Sequence, residues 1–115
     1  MRKLGYSLDK IVESSDHLKQ VQKSDLHFGD VVLIHTLNSV YTVRVLQDNQ
    51  YLVSGGWFDK NGLSPLKTTI TGCTWGGSII KIDIIAACGL CVEFGNRVVT
   101  SPIQKIIVIP NGGEN

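Results

Sequence analysis

Charged side chains are scarce in this chain of 115 residues, and long uninterrupted apolar runs are missing from it. Asp, Glu, Lys and Arg make up 18 % of the sequence, against an ordinary share of about 25 % in globular proteins. The 11 basic and 10 acidic residues leave a formal net charge of +1. A disordered tail needs high net charge, and phosphate binding needs a surplus of Lys and Arg. The composition therefore argues against a disordered chain and against a strongly basic nucleic-acid binder.

No segment has the features of a membrane span or a signal peptide. The most apolar stretch, residues 79–92, contains Lys81 and Asp83, whereas a span needs about 20 apolar residues. Charges at positions 9 and 10 interrupt the apolar region that should follow a basic N-terminal pair. The chain has only three cysteines, and an odd number does not suggest a secreted disulfide framework. We therefore expect a cytoplasmic protein with no membrane partner.

Charged and β-branched residues are distributed in opposite ways along the chain. Residues 1–30 hold ten charged side chains but only three Val, Ile or Thr residues, whereas residues 31–115 hold 28 of the latter. β-branched side chains fit a pleated surface and lose rotamer freedom in helices. The composition predicts a single domain. It has a helical segment and link over residues 1–30, a β body over residues 31–110 and a flexible tail over residues 111–115.

The first part predicts an amphipathic helix. Apolar side chains recur there at the three-and-four spacing that places them on one stripe of a helix. They are Leu8, Ile11, Val12, Leu18 and Val21. Ser7 is a suitable N-cap for this helix. We expect the stripe to pack on the β body, and docking into a groove of a partner is the alternative.

The second part predicts antiparallel strands joined by hairpins. Two-residue turn signals separate its β-branched runs, because Asn and Asp tolerate positive φ and Gly suits a type II′ turn. These signals are Asn38-Ser39, Asp48-Asn49 and Gly95-Asn96. Further strands are expected at residues 67–71, 78–85 and 103–109. Short strands at this spacing favour a small antiparallel barrel of SH3-like size or a sandwich, with the N-terminal helix packed on it.

The first two turns imply a register that gathers apolar side chains on one face. Thr36 is expected opposite Tyr41 across the first turn, and Leu52 beside Val45 across the second. The predicted core face holds Val32, Ile34, Tyr41, Val43, Val45 and Leu52. A slip of one residue would turn a whole strand over, so this register is a sharp expectation.

The three cysteines, Cys73, Cys88 and Cys91, are the candidate metal ligands. Cys88 and Cys91 have the spacing of a zinc-binding pair, but a closed structural site needs four ligands. The fourth would be one of the three histidines, and the spacing selects none of them. Cys91 precedes a predicted strand and not a helix, which argues against thioredoxin-type redox chemistry. The alternative is that all three are small apolar residues near a turn, and we expect no cofactor.

Two loops that join glycine to tryptophan are the candidate ligand site. Glycine lets a backbone approach a ligand closely, and indole offers a flat apolar face with one donor. The loop residues are Gly55, Gly56 and Trp57 in the first loop and Trp75, Gly76 and Gly77 in the second. At one end of a barrel, the two loops would form a small aromatic cleft. The alternative is that glycine serves strained turns and tryptophan closes the end of the barrel.

Catalysis and nucleic-acid binding have weaker support in the sequence. His35 is the one histidine expected on a strand, and the chain has no Gly-x-Ser-x-Gly elbow and no phosphate-binding loop. Tyr41, Tyr51, Trp57 and Trp75 offer rings on which bases could stack. The basic residues after position 31 are single and scattered, however, so a single-stranded nucleic-acid partner is not expected.

The strand expected at residues 103–109 is apolar on both faces, which a chain of this size can cover by pairing with a second copy. We therefore predict a small non-enzymatic binding or interaction module that forms a homodimer or larger oligomer, with the Gly-Trp loops as ligand site. One alternative is a metal-binding protein or enzyme that uses the three cysteines with a histidine. The other is a barrel that binds single-stranded nucleic acid.

Overall fold

The computed structural model describes residues 19–75 and 80–111, and strands dominate both ranges. Within these ranges ten strands follow one another along the chain. They are β1 (Gln20–Gln22), β2 (Val31–Thr36), β3 (Val40–Val45), β4 (Tyr51–Gly55), β5 (Leu66–Thr68), β6 (Ile70–Thr74), β7 (Ile80–Lys81), β8 (Ile84–Ala87), β9 (Cys91–Phe94) and β10 (Ile103–Ile109). A short helix, α1 (Gly56–Lys60), directly follows β4. No helix in the described ranges is long and apolar enough to cross a membrane.

The strands form antiparallel sheets, which confirms the mainly β prediction. Five strands pair in the order β10-β2-β3-β4-β5, three in the order β7-β6-β9, and β1 pairs with β8. The barrel prediction is wrong because the sheets do not close, and β10 and β5 form the two edges of the five-stranded sheet. The chain leaves that sheet after β5: only Thr69 separates β5 from β6, and β6 pairs with β9 and β7 instead.

The predicted N-terminal helix lies mostly in residues 1–18, outside the described residues. Its last part, from position 19 on, is not helical, so the prediction is wrong there. Val21 belongs to β1, and a 3₁₀ turn follows at Lys23–Asp25. Val21 is buried between the exposed Gln20 and Gln22, an alternation of period two that suits a strand. Pairing with β8 provides hydrogen-bond partners for the backbone of β1. Because β8 is distant in the sequence, the residues around β1 carry no local signal of this pairing.

Buried side chains from all three sheets belong to one hydrophobic core in the described ranges. Three aromatic rings lie at its centre: Tyr41 from β3, Phe58 from α1 and Phe94 from β9. Their centroids are 5.1–6.1 Å apart, and two of the three pairs are edge-to-face. Such pairs contribute about 0.5–1.5 kcal/mol beyond area burial. Phe58 thus packs α1 against the five-stranded sheet through Tyr41 and against the three-stranded sheet through Phe94.

The β2–β3 hairpin has the predicted core face but a different register. Ile34 lies opposite Tyr41, so the first predicted pairing is shifted by two residues. A shift of two preserves the side of every side chain, and Val32, Ile34, Tyr41, Val43 and Val45 are all buried as predicted. The shift follows from hydrogen bonds between Thr36 and Ser39. The N–H and the hydroxyl of Thr36 donate to the Ser39 carbonyl, and the N–H of Ser39 donates to the Thr36 hydroxyl, so the turn is at residues 37–38.

The β3–β4 hairpin contains a bulge that the sequence did not predict. Asp48 and Asn49 form the predicted turn with φ of 59° and 60°. The N–H of Leu46 donates to the Gln50 carbonyl at 2.9 Å, and the N–H of Gln50 donates to Gln47 at 3.2 Å. Two residues of the first strand therefore face one residue of the second, which is the pattern of a β-bulge.

This bulge turns β4 over relative to the prediction. Tyr51 and Val53 enter the core, whereas Leu52 pairs with Arg44 on the opposite face of the sheet. The predicted place of Leu52 in the core is therefore wrong. The predicted alternation of core-facing and outward-facing residues in β4 was right, but a single extra residue before the turn reversed which of them face the core.

Truncation of β4 side chains tests this orientation. Val53→Ala is expected to lower the free energy of unfolding by about 2 kcal/mol, because it removes buried methyl groups and leaves a cavity. Leu52→Ala, the matched control on the other face, is expected to cost less than about 1 kcal/mol although it removes more atoms. Urea denaturation of both variants measures the difference, and the reverse order would contradict the bulge.

Candidate functional site

A cleft of about 200 Å³ lies where α1 meets the β2–β3 turn and the chain segment before β10. We call it the Trp57 cleft. Its lining is neutral apart from one lysine, and it combines apolar side chains with hydroxyl groups. The lining residues are Asn38, Ser39, Tyr41, Trp57, Lys60, Val99, Thr100 and Ser101.

Two glycines position the helix that forms one wall of the cleft. Gly55 and Gly56 have φ of 98° and 44°, a region that other residues rarely adopt. A Cβ at Gly55 would collide with the carbonyl oxygen of Val40, and a Cβ at Gly56 would collide with the ring of Tyr41. The chain can therefore turn sharply from β4 into α1 directly over Tyr41. Neither glycine lines the cleft, so their closest approach is to the protein itself.

Hydrogen bonds hold this turn in place and fix Trp57. The N–H of Trp57 donates to the Tyr41 hydroxyl at 3.3 Å, and the Asn61 amide donates to the Trp57 carbonyl at 2.8 Å. The Asp59 carboxylate accepts the N–H of Gly55 at 3.0 Å. Hydrogen bonds from Ser64 and from the Gly55 backbone lower the pKa of Asp59. The cleft wall is thus preorganised by contacts that do not require a ligand.

The opposite wall joins the β2–β3 turn to the segment before β10. Asn38 donates its N–H to the Ser101 hydroxyl at 3.1 Å, and Leu37 donates its N–H to the Pro102 carbonyl at 2.9 Å. The Thr100 hydroxyl accepts the N–H of Val92 and donates to the Ser101 carbonyl. Both walls are therefore tied to strands of the core.

The mouth of the cleft is apolar and carries one positive charge. Leu37, Val40 and Val99 are exposed large apolar side chains in the elements around it, and Trp57 is 37 % exposed. The ammonium group of Lys60 has no ion pair with another residue of the described ranges. None of the lining residues is acidic. The arrangement offers an indole face, aliphatic contacts and an attractive site for an anion.

The second predicted Gly-Trp loop does not line this cleft. Trp75 follows β6 and is 67 % exposed, and its ring is absent from the ring contacts of Trp57 in the described ranges. Gly76 and Gly77 lie outside the described residues. Of the six predicted ligand-site residues, Trp57 is therefore the one that the cleft contains, and Gly55 and Gly56 support it from behind.

The three cysteines differ in burial and in surroundings. Cys73 is fully buried opposite Val92, while Cys91 lies opposite Thr74 on the neighbouring register position, so their side chains point to opposite faces of the sheet. Cys88 donates weakly to the Gln104 carbonyl at 3.8 Å. Burial raises the pKa of Cys73 to about 11. Within the described ranges no group of three or more His, Cys, Asp or Glu side chains could hold a metal ion.

A larger cavity of about 490 Å³ lies near the end of β10, beside His27, Phe28 and Asn111. Its buried carboxylate, Asp30, is already satisfied: it accepts the N–H of His27 and the N–H of Asn111, each at 2.8 Å. Asp30 thus ties the start of β2 to the chain after β10. Residue 111 of the predicted flexible tail is anchored in this way, and residues 112–115 lie outside the described ranges. Because Asp30 serves to hold these segments together, we do not propose this cavity as a ligand site.

Sequence reasoning missed most of the Trp57 cleft. Lys60, Asn38 and Ser101 come from three distant segments, and no spacing in the sequence relates them. The nearest signal was an unusual concentration of Gly, Trp and Phe at residues 55–58. That signal identified one wall, and the opposite wall depends on the β2–β3 turn meeting the chain before β10.

Comparison with known proteins gives no family for this chain. No family model matches it, and neither the curated proteins nor the solved structures contain a match.

Substitution of Gly56 tests how the cleft wall is built. Gly56→Ala is expected to cost about 3 kcal/mol of unfolding free energy, because it adds a clash with Tyr41 to the strain of positive φ. The matched control is Gly62→Ala, which has φ of 68° but open space around its Cβ, and should cost about 1 kcal/mol. Thermal denaturation measures both variants. Equal costs would contradict the close contact with Tyr41.

Thiol reactivity tests the placement of the cysteines. In a variant with Cys88→Ala and Cys91→Ala, Cys73 should react with Ellman's reagent only when the chain opens, because it is buried and its pKa is raised to about 11. Variants that keep only Cys88 or only Cys91 should react faster in the native state, since both are partly exposed. Reaction of native Cys73 at the rate of a free thiol would refute this placement.

Proposed function

We propose that this chain is a small non-enzymatic binding module and that the Trp57 cleft is its ligand site. The observation that carries the proposal is a partly exposed indole beside an ammonium group with no ion-pair partner in the described ranges, between two walls that are already hydrogen-bonded in place. A preorganised site loses little conformational entropy on binding. The three cysteines are not joined in disulfides, which suits a reducing compartment, and we therefore propose that the module is cytoplasmic.

The cleft chemistry favours a small organic anion with a planar or aliphatic body. Lys60 is the one charged side chain in the lining, and a carboxylate beside it would form a charge-assisted hydrogen bond. Trp57 would cover the apolar part of such a ligand. The cleft volume of about 200 Å³ is below the range of drug-sized pockets, about 300–1,000 Å³, so the ligand is small.

The same lining supports binding over catalysis. It has hydroxyl groups and one ammonium group but no imidazole, thiol or carboxylate among the described residues. The hydroxyl groups of Tyr41, Thr100 and Ser101 already bond to the backbone. General acid–base work most often uses a histidine or a carboxylate, and the lining has neither.

The two alternative functions lose support for specific reasons. A cysteine metal site would need a fourth ligand near Cys73 and Cys91, whose side chains point to opposite faces of the sheet. Stacking of bases would need a row of exposed rings, whereas Tyr41 and Tyr51 are buried and two of the four candidate rings, those of Trp57 and Trp75, are exposed. These observations favour the binding module over both alternatives.

Fluorescence of a Trp75→Phe variant tests the proposed site, because Trp57 is then the one emitting tryptophan. Phenylacetate should quench or shift this emission, and phenylacetamide, which lacks the charge, should bind about tenfold more weakly. Lys60→Met should remove this preference, whereas Lys81→Met on β7 should leave it intact. Equal responses to both compounds, or an unchanged preference in Lys60→Met, would contradict the proposed ligand class.

A second candidate function is self-association through β10. This strand of seven residues is an edge of the five-stranded sheet. The backbone of Ile103 bonds to the β8–β9 turn, and the Gln104 carbonyl accepts a weak bond from the Cys88 thiol. A two-fold partner could add its own β10 and continue the sheet. The exposed Lys105 would lie at this junction and limit its strength.

Sedimentation equilibrium tests self-association. The chain should run at twice its 12.6 kDa mass at micromolar concentrations. Ile107→Lys on the edge strand should shift the equilibrium to the monomer through repulsion between symmetry-related charges. Val40→Lys, on the third strand of the same sheet, should not. A mass of one chain at all concentrations would refute the dimer.

A further inference from the structure

The five-stranded sheet has a second face, opposite the core, whose composition differs from that of the rest of the chain. The register places its side chains in three cross-strand rows. They are Ile109-Val31-Arg44-Leu52-Lys67, then Ile107-Leu33-Thr42-Ser54, then Lys105-His35-Val40. We call these twelve residues the outer sheet face.

All full charges on the outer sheet face are positive. Arg44, Lys67 and Lys105 are exposed, His35 lies beside Lys105, and no carboxylate occurs in any of the three rows. The acidic residues of the described ranges are in turns and in other elements: Asp25, Asp30, Asp48, Asp59, Asp83 and Glu93. The fold thus collects on one surface basic residues that are single and scattered in a sequence of net charge +1.

The same face carries a block of aliphatic side chains. Ile109 and Val31 are opposite each other, as are Ile107 and Leu33, so the block covers β10 and β2. These four side chains are partly or largely exposed, and none belongs to the hydrophobic core. Arg44 flanks the block on the side of β3. An apolar surface bordered by one sign of charge is typical of a docking surface.

We propose that the outer sheet face docks an acidic amphipathic helix of a partner protein. A helix with its side chains is about 10 Å in diameter, so a helix lying along the strands would cover two strands spaced about 4.8 Å apart. Its flanking carboxylates would lie against Arg44, which borders the block on β3, and toward Lys67 beyond it on β5. The Trp57 cleft is a separate site, because none of its lining residues belongs to the outer sheet face.

Other occupants fit this face less well. A second copy placed face to face would bring Arg44, Lys67 and Lys105 against the same cations. Single-stranded nucleic acid would need aromatic rings for stacking, and none of the twelve residues has a Phe, Tyr or Trp side chain. A lipid surface would need apolar side chains that project beyond the charged ones, whereas Val31, Leu33 and Ile107 are partly buried.

Fluorescence anisotropy of a labelled peptide with the full chain tests the proposal. The peptide is a designed helix of about 18 residues with Leu on one face and Glu on the other. It should bind, and Arg44→Glu with Lys67→Glu should weaken binding about tenfold or more. The matched control is Lys81→Glu with Arg97→Glu, which reverses the charge of one lysine and one arginine that are exposed elsewhere and should leave the affinity within about twofold. Circular dichroism confirms that both variants are folded.

Four outcomes would overturn the proposal. They are absence of peptide binding, equal binding of a matched peptide with Lys in place of Glu, equal losses in the two double variants, and preferential binding of another probe. The other probes are vesicles with about 30 % phosphatidylserine and an oligothymidine of about 20 nucleotides. Binding of either in place of the peptide would assign the face to that partner instead.

Discussion

The close contact between Tyr41 and the chain reversal at Gly55 and Gly56 is the constraint on which both the core and the cleft depend. The Tyr41 ring packs against Phe58 and Phe94 in the core, and its hydroxyl accepts the N–H of Trp57. The ring also occupies the space that a Cβ of residue 56 would need. One side chain therefore fixes the helix from inside and presents Trp57 on the outside.

The sequence predicted those parts of the fold whose signals are local. Alternation placed Ile34 and Val43 on the core face, and the turn signal at Asp48 and Asn49 was correct. The bulge at residues 46–47 adds one residue between β3 and the turn, and the alternation of apolar and polar residues does not reveal such an insertion. The bulge reversed the side of the sheet on which Leu52 lies. The helical spacing that included Val21 failed because β8, a distant strand, supplies its backbone partners.

The candidate site, like the fold, was predictable only where its signals are local in the sequence. Gly55, Gly56 and Trp57 stood out because glycine and indole carry specific steric and chemical meaning wherever they occur. Lys60 and Ser101 are ordinary surface residues in sequence and acquire a role only because two segments meet. The outer sheet face is a similar case, since its charge becomes one-sided only after β10 pairs with β2 and β5 pairs with β4.

Ligand binding in the preformed Trp57 cleft is tested most directly by mapping amide shifts in the ¹⁵N spectrum of the full chain on saturation with phenylacetate. The shifts should centre on Trp57, Lys60 and Ser101, on both walls at once, and the core strands should be unchanged. Shifts confined to Trp75 and the chain beyond it, or to the outer sheet face, would contradict it.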